Sequence, residues 1–301
     1  MKPLLIMFAV IAVIAIALIV NISSQQSGSQ NKKVVLTTFT VLGDMAKNVA
    51  GDKLVVESIT KPGTEIHGYE PTPNDLVRAQ RAQLILDNGL NLEKWAEKLY
   101  QSIPDVKHVT LSQNVAPIPI AEGPYADKPN PHAWMSPKNA LIYVDNITTA
   151  FIELDPANKA IFEANAEAYK AKIRAIDTSL ADSLKTLPEN RRSLASCEGA
   201  FTYLTRDYNL KELYLWPINA DAQGTPQQVK HVINEVRAND IPTVFCESTV
   251  NPKAMQQVAS ETGAQFGGVF YVDSLSAEDG PAATYLQMLE YNTSTLVEGL
   301  K

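Results

Sequence analysis

One long stretch without glycine in the middle of the chain constrains the fold most strongly. It runs from Asp155-Pro156 to Leu187-Pro188 and places apolar side chains at helical spacing between prolines at both ends. The apolar positions do not sustain a heptad repeat, which disfavours a coiled coil. The pattern predicts one long rigid helix over residues 155–188 that joins a lobe on either side.

Short strands alternate with helices before and after this linking helix. Such alternation is typical of parallel βα units, because a helix usually forms the crossover between parallel strands. The sequence therefore predicts an α/β fold with two parallel-sheet lobes, over residues 32–154 and 189–301. The predicted strands are Lys32–Thr38, Leu54–Ile59, Ala82–Leu86, Val106–Leu111, Ser193–Cys197, Glu212–Trp216, Thr243–Cys246 and Phe270–Val272.

The first 31 residues differ from the rest of the chain. Lys2 precedes an apolar run of 17 residues, Leu4–Val20, and a linker rich in Ser and Gln follows. The run is long for an export signal and just long enough to cross a bilayer as a helix. Neither a clear Ala-x-Ala cleavage site nor a lipid-anchor cysteine accompanies it. We expect residues 1–31 to form an export signal or membrane anchor with a polar linker, and the protein to be periplasmic or at the cell surface.

The charge balance argues against nucleic acid as a partner. The net charge is −7, and the acidic residues are dispersed along the chain. Binding to phosphate requires clustered Lys and Arg instead. The sequence thus predicts no nucleic-acid partner.

Two of the four histidines occupy loops rich in turn residues. His67 follows a predicted strand in a Gly/Pro-rich loop, and His132 lies in another such loop. By contrast, His108 falls on a short strand and is interpreted as structural, and His231 falls on a helix and is interpreted as solvated. Two loop histidines in one lobe are compatible with a metal site, but their spacing alone does not decide it.

Carboxylates follow three predicted strands of the second half. Glu198, Glu247 and Asp273 each stand directly after a strand. Because the carboxyl ends of parallel strands meet at one edge of a sheet, all three are expected to face one crevice. The residues alone do not choose among them, since each can also cap the next helix.

The chain has two cysteines, Cys197 and Cys246. An even number in an exported protein favours one disulfide, and two buried free thiols are the alternative.

Four segments of the chain resemble the ligand-bearing motifs of cluster-A metal solute-binding proteins of bacterial ABC importers. They occur in the family's order, and the resemblance extends from about Val34 to Leu300. Two more segments, Trp216–Asn219 and Phe245–Thr249, are similar to the manganese branch, most closely to the cyanobacterial-type manganese-binding subunit. The four motif segments are Ile66–Pro73, Asn130–Trp134, Cys197–Leu204 and Tyr271–Leu275.

The resemblance implies a metal site in the cleft between the lobes, with His67, His132, Glu198 and Asp273 as ligands. Two imidazoles and two carboxylates suit Mn(II), because carboxylates can raise the coordination number above four. Zinc relatives usually have a third His in place of Glu198 and a His-rich loop near position 120, and this chain has neither. Mn(II) is therefore the expected cargo, with Zn(II) and Fe(II) as alternatives.

The resemblance also implies a role and partners. The protein is expected to be a monomer that captures the ion and delivers it to an ABC permease with its ATPase. A disulfide between Cys197 and Cys246 is implied as well. The sequence does not reveal the permease contacts; exposed acidic residues such as Glu122 and Asp127 are candidates, with simple solvation as the favoured interpretation.

Two other classes of function remain as alternatives. A secreted metalloenzyme is disfavoured, because the chain has no His-Glu-x-x-His helix and no Gly-x-Ser-x-Gly elbow. An adhesin has no support beyond that label among relatives. The chain is accordingly not expected to be an enzyme.

Overall fold

A computed structural model describes residues 32–121, 123, 125–218 and 224–301. The predicted signal or anchor over residues 1–31, the candidate permease contact Glu122 and the motif residue Asn219 lie outside the described residues. Within the described part, no helix combines the length and apolar character needed to cross a membrane. Residues Val34–Lys301 form one compact unit.

The first half is a four-stranded parallel sheet with helical crossovers. The strand order is β2-β1-β3-β4, and Val35 of the central strand β1 lies opposite Val56 and Leu84. The elements are β1 (Val34–Thr37), α1 (Thr40–Ala50), β2 (Val55–Ser58), α2 (Pro73–Arg81), β3 (Leu84–Asp87), α3 (Ala96–Gln101) and β4 (Lys107–Thr110).

The start of α2 shows how local sequence fixes an element beside the future site. Thr72 accepts a hydrogen bond from the Asp75 backbone, and the Asp75 side chain accepts one from the Thr72 backbone. Pro73 occupies the first turn, where its missing N–H costs nothing. The loop before α2 therefore ends at a fixed point.

Two antiparallel helices form the middle of the chain, α4 (Pro137–Leu154) and α5 (Lys159–Lys185). The linking helix predicted over 155–188 is thus present but shorter, because Asp155 leaves the helical conformation and Pro156–Asn158 form a 3-10 turn that reverses the chain. Helix α4 is missing from the sequence-based assignment. Its signal was Ser136, a capping residue followed directly by Pro137.

The second half repeats the architecture of the first. Strands β5 and β6 pair in parallel, as do β7 and β8, and β5 lies beside β7. The pairs form two separate two-stranded sheets, and their spatial order β6-β5-β7-β8 corresponds to β2-β1-β3-β4. The elements are β5 (Ser193–Glu198), α6 (Thr202–Tyr208), β6 (Lys211–Trp216), α7 (Pro226–Ala238), β7 (Thr243–Glu247), α8 (Lys253–Thr262), β8 (Gln265–Phe270) and α9 (Tyr285–Leu300).

The last strand lies earlier than predicted. The prediction of a strand over Phe270–Val272 is wrong, since β8 ends at Phe270, and the backbone N–H and carbonyl of Tyr271 bond to the Asn292 side chain instead. Glycine hid the true strand. A Cβ at Gly267 would come within 2.5 Å of the Phe245 ring, so a residue that normally weakens a strand is required here.

The linking helix α5 is shared by both halves. It packs against α1, α4 and α9, and its buried face belongs to one hydrophobic core that also contains residues of both sheets. A smaller core lies between the second sheet and helices α7 and α8. The boundaries 32–154, 155–188 and 189–301 stay a prediction for the division into lobes.

Candidate metal centre

The structure brings together all four residues that the resemblance implies as ligands. One nitrogen or oxygen atom from each of His67, His132, Glu198 and Asp273 lies within 4.8 Å of the other three. The Nε2 atoms of the two histidines are 3.1 Å apart. Glu198 Oε1 is 3.4 and 3.6 Å from them, and Asp273 Oδ1 is 3.8 and 3.6 Å away. The side chain of His67 is 6% exposed and the others at most 1%.

His67 lies in the loop between β2 and α2, which bonds within its own half and one from the Gly63 N–H to Ser274 Oγ in the second half hold in place. The Glu65 carboxylate accepts the backbone N–H groups of His67 and Gly68 at 2.7 and 2.9 Å. The indole of Trp95 donates to the carbonyl oxygen of Ile66 at 2.9 Å. These bonds fix the backbone on both sides of the imidazole.

His132 precedes a 3-10 turn, Ala133–Met135, and is completely buried. Its backbone N–H and its ring Nδ1 lie 3.0 and 2.9 Å from Asn130 Oδ1. Because an amide oxygen only accepts, Nδ1 carries the proton, and Nε2 keeps its lone pair for an ion. Sequence reasoning missed Asn130 as a functional residue. Its signal was an Asn two residues before a loop histidine, where its side chain can bond to the backbone.

Glu198 ends strand β5 and is fixed from behind. Its backbone N–H donates to Glu247 Oε2 at 3.2 Å, and the neighbouring Cys197 forms a disulfide with Cys246 of β7. Glu247, the third carboxylate that the sequence left open, therefore lies behind Glu198 and outside the group of four converging atoms.

Asp273 lies in the segment after β8, which contacts from the first half hold. Trp134 Nε1 donates to the carbonyl oxygen of Val272 at 3.0 Å. The Leu275 N–H donates to Thr40 Oγ1 at 2.9 Å. The backbone of Asp273 is thus anchored on both sides across the cleft.

Burial shifts the pKa values of the two imidazoles and of Asp273 in opposite directions. It lowers the pKa of His67 to about 3 and lowers the pKa of His132, to which His67 adds a smaller effect, so both imidazoles are neutral at pH 7. Burial raises the pKa of Asp273, and the charges of Glu198 and Glu65 raise it further. Neither oxygen of Asp273 accepts a hydrogen bond of normal length from the described residues. A nearby cation would stabilise such a buried oxygen.

The other two histidines lie elsewhere. His108 stacks on Tyr100, with its Nδ1 3.4 Å from Asp87 and its side chain 52% exposed. His231 is exposed on α7. Neither contributes to the four-residue group.

Residues 35–299 match the protein family described as ZnuA, zinc-uptake complex component A, periplasmic. The chain belongs to this family. Its members are solute-binding proteins of metal ABC importers, so the chain is such a subunit and works outside the cytoplasm with a permease and ATPase. The expected family, fold class and general function are confirmed.

The names of individual relatives refer to different metals. The iron-binding protein YfeA of Yersinia pestis is 54% identical over 273 residues, covering 91% of this chain and 88% of that protein. The manganese-binding lipoprotein MntA of Halalkalibacterium halodurans is 35% identical, covering 88% of both.

Among solved structures, the Mn-bound periplasmic metal-binding protein of Candidatus Liberibacter asiaticus is 40% identical, with a TM-score of 0.84 over 90% of this chain and 100% of that chain. The zinc-binding TroA of Treponema pallidum, 23% identical with a TM-score of 0.82, shows the shared fold alone. Family membership therefore establishes metal transport without selecting the metal.

Proposed function

We propose that the protein captures Mn(II) with His67, His132, Glu198 and Asp273 and hands it to its permease. The observation that carries this proposal is the buried convergence of two neutral imidazoles with two carboxylates within 4.8 Å. A 2+ ion would balance two carboxylate charges in a site closed to water.

The donor types support Mn(II) over Zn(II). The site has no thiolate, because both cysteines are in the disulfide, and half of its ligands are carboxylates. Structural zinc sites favour four ligands rich in Cys and His, whereas carboxylates that bind through both oxygens allow the higher coordination of Mn(II).

Fe(II) is a second candidate cargo. Its ligand preferences overlap with those of Mn(II), and the relative that is 54% identical is named an iron-binding protein. Zn(II) binds most N/O sites more tightly than Mn(II) does. Affinity in vitro therefore has to be read together with the metal that the importer carries.

A calorimetric titration of the purified protein with Mn(II), Zn(II) and, without oxygen, Fe(II) tests the proposal. We expect one Mn(II) site that is lost in Glu198→Ala. The matched control is His108→Ala, which removes an imidazole outside the group of four and should bind as the wild type does. Uptake of each metal by cells that carry the importer then identifies the cargo.

Absence of Mn(II) binding to the oxidised, metal-free wild type would contradict the proposal. Retained Mn(II) binding in Glu198→Ala would contradict the ligand assignment. The monomeric state stays a prediction, which sedimentation equilibrium of the metal-free and metal-bound protein tests.

A further inference from the structure

Asn130 contacts both halves of the metal centre, and its neighbours fix the orientation of its amide. Nδ2 lies 2.6 Å from the Gly199 carbonyl oxygen, which only accepts, and Oδ1 lies 3.0 Å from the backbone N–H of His132, which only donates. The reverse orientation would place oxygen against oxygen. The oxygen of this side chain therefore bonds to His132, and its nitrogen bonds to Gly199, the residue that follows Glu198.

Further bonds tie Asn130 to the second half. Nδ2 also donates to Thr202 Oγ1 at 3.1 Å, and the backbone carbonyl of Asn130 accepts from the Tyr203 hydroxyl at 2.7 Å. Asn130 is only 2% exposed, so these bonds are shielded from water. Loss of a partner would leave a buried polar group unsatisfied, which strongly favours keeping the whole set.

We propose that Asn130 is a positioning residue that couples the imidazole of His132 to the carboxylate of Glu198. Oδ1 sets the tautomer of His132, while Nδ2 holds the Gly199 carbonyl and, through it, the backbone of Glu198. A displacement of either ligand is transmitted to the other. Asn130 thereby controls how fast the ion leaves and how strictly the site keeps a geometry that suits Mn(II).

This coupling rests on the proposed ligand set and adds a residue that does not contact the ion. Only the acceptor half of the amide is needed to orient His132. The donor half acts across the cleft. The two halves of one side chain can therefore be separated by substitution.

Asn130→Asp separates them. The carboxylate still accepts both N–H groups of His132, but it cannot donate to Gly199. We expect Mn(II) release into excess chelator, followed by stopped flow, to accelerate by about tenfold or more. The preference for Mn(II) over Zn(II) in competition titrations should fall. A negative charge near the site would by itself slow the release of a cation, so faster release has the opposite sign to a charge effect.

Nitrogen NMR of the His132 ring distinguishes positioning from general damage. Asn130→Asp should keep the wild-type tautomer, whereas Asn130→Ala should show a mixture of both. Tyr203→Phe leaves the side-chain amide intact and removes the hydroxyl that donates to the Asn130 backbone carbonyl and accepts from the Ile118 N–H. It should accelerate release in the same direction by a smaller factor, and it decides the question if Asn130→Asp does not fold.

Wild-type release rates in the folded variants, beside a tight Mn(II) site in the wild type, would overturn the coupling alone. Absence of a tight Mn(II) site in the wild type would instead contradict the proposed function and the coupling with it.

Discussion

The two halves of the protein supply different chemistry to one site. The first half supplies imidazoles that burial keeps neutral, with the pKa of His67 lowered to about 3. The second half supplies carboxylates, and burial together with Glu198 raises the pKa of Asp273. A neutral imidazole is already a metal ligand, whereas two buried carboxylates disfavour each other's charge until a cation arrives. We therefore expect the stabilisation of the protein by bound metal to come mainly from the second half, which supplies the two carboxylates.

The halves also differ in the indole bonds beside their candidate ligands. Trp95 donates to the carbonyl before His67, and Trp134 donates to the carbonyl before Asp273. The first bond stays within the first half, while the second crosses the cleft. The indole bond beside His67 is thus local and the one beside Asp273 joins the two halves, while His132 is also joined to the second half through Asn130. We expect rearrangement on metal release to concentrate in the segments that carry Glu198 and Asp273.

Replacement of a carboxylate by its amide should have the largest effect. Asp273→Asn removes one charge at constant shape, so Mn(II) affinity should fall by about 100-fold or more, beyond the loss typical of an outer-shell partner. The metal-free protein should nevertheless become more stable by about 1–3 kcal/mol at alkaline pH, where Asp273 would have to ionise without a partner. Calorimetric titration and urea unfolding with chelator measure both quantities.

His132→Ala tests the same difference between the histidine half and the carboxylate half. It should also abolish tight binding, but it should destabilise the metal-free protein, because it removes a packed neutral ring and leaves a cavity. Equal destabilisation by the two substitutions would show that the halves do not differ in this respect.

Loss of the disulfide should have the next largest effect. The Cys197–Cys246 bond joins β5 to β7 beside Glu198, and a disulfide typically stabilises a protein by about 2–4 kcal/mol. The double variant Cys197→Ser/Cys246→Ser should unfold at correspondingly lower urea and bind Mn(II) less tightly. Unchanged Mn(II) affinity in the folded double variant, or after confirmed reduction of the wild type, would refute a role in holding Glu198.

The two halves should also give the metal-free protein opposite pH dependences. The lowered pKa values of His67 and His132 mean that only the unfolded chain takes up these protons below about pH 6.5, so stability falls toward acid. Burial raises the pKa of Glu212 to about 7 and also raises those of Asp273 and Glu247. The unfolded chain releases these protons above about pH 4.3 while the folded protein retains them, so stability falls as pH rises from there to the raised pKa, which is about 7 for Glu212.

Each such group contributes a slope of up to about 1.4 kcal/mol per pH unit in its titration range. Urea unfolding with chelator from about pH 5 to pH 8 measures the net slope; His67→Ala should make the fall of stability with rising pH steeper below about pH 6.5, and Glu212→Gln should make it shallower below about pH 7. Glu93 in the first half, whose pKa is raised to about 8 by burial and by Asp87, adds to the fall of stability with rising pH, and Glu93→Gln is the control for its share. A stability that rises between pH 7 and 8 would contradict the prediction.

The smallest expected effect separates the two indole bonds. Trp134→Phe removes the bond to Val272 and should lower Mn(II) affinity severalfold, because a hydrogen bond contributes about 1 kcal/mol. Trp95→Phe is the matched substitution within the histidine half and should change affinity less. An equal loss of Mn(II) affinity in both variants would show that the two indole hydrogen bonds contribute equally to metal binding.

Local patterns predicted most of the elements and misplaced a few for identifiable reasons. Thr72-Pro73 and Thr225-Pro226 marked the starts of α2 and α7, because capping depends on residues only a few positions apart. The glycines of β8 concealed that strand, since Gly267 fits against Phe245 on another strand and Gly268 adopts a φ of +117°. Such a requirement for glycine depends on tertiary packing and cannot be recognised from neighbouring residues in the sequence.

The sequence by itself determined the alternating βα pattern, the long central helix, the two loop histidines and the carboxylates at strand ends. Those features follow from backbone preferences and capping between near neighbours. On residue patterns alone Glu198, Glu247 and Asp273 were equivalent, and only the resemblance preferred two of them. The tertiary structure placed Glu247 behind Glu198 and brought Asp273 to the histidines. That choice depends on contacts such as Asn130 with Gly199 and Trp134 with Val272, which are 69 and 138 residues apart and form only when the two halves pack together.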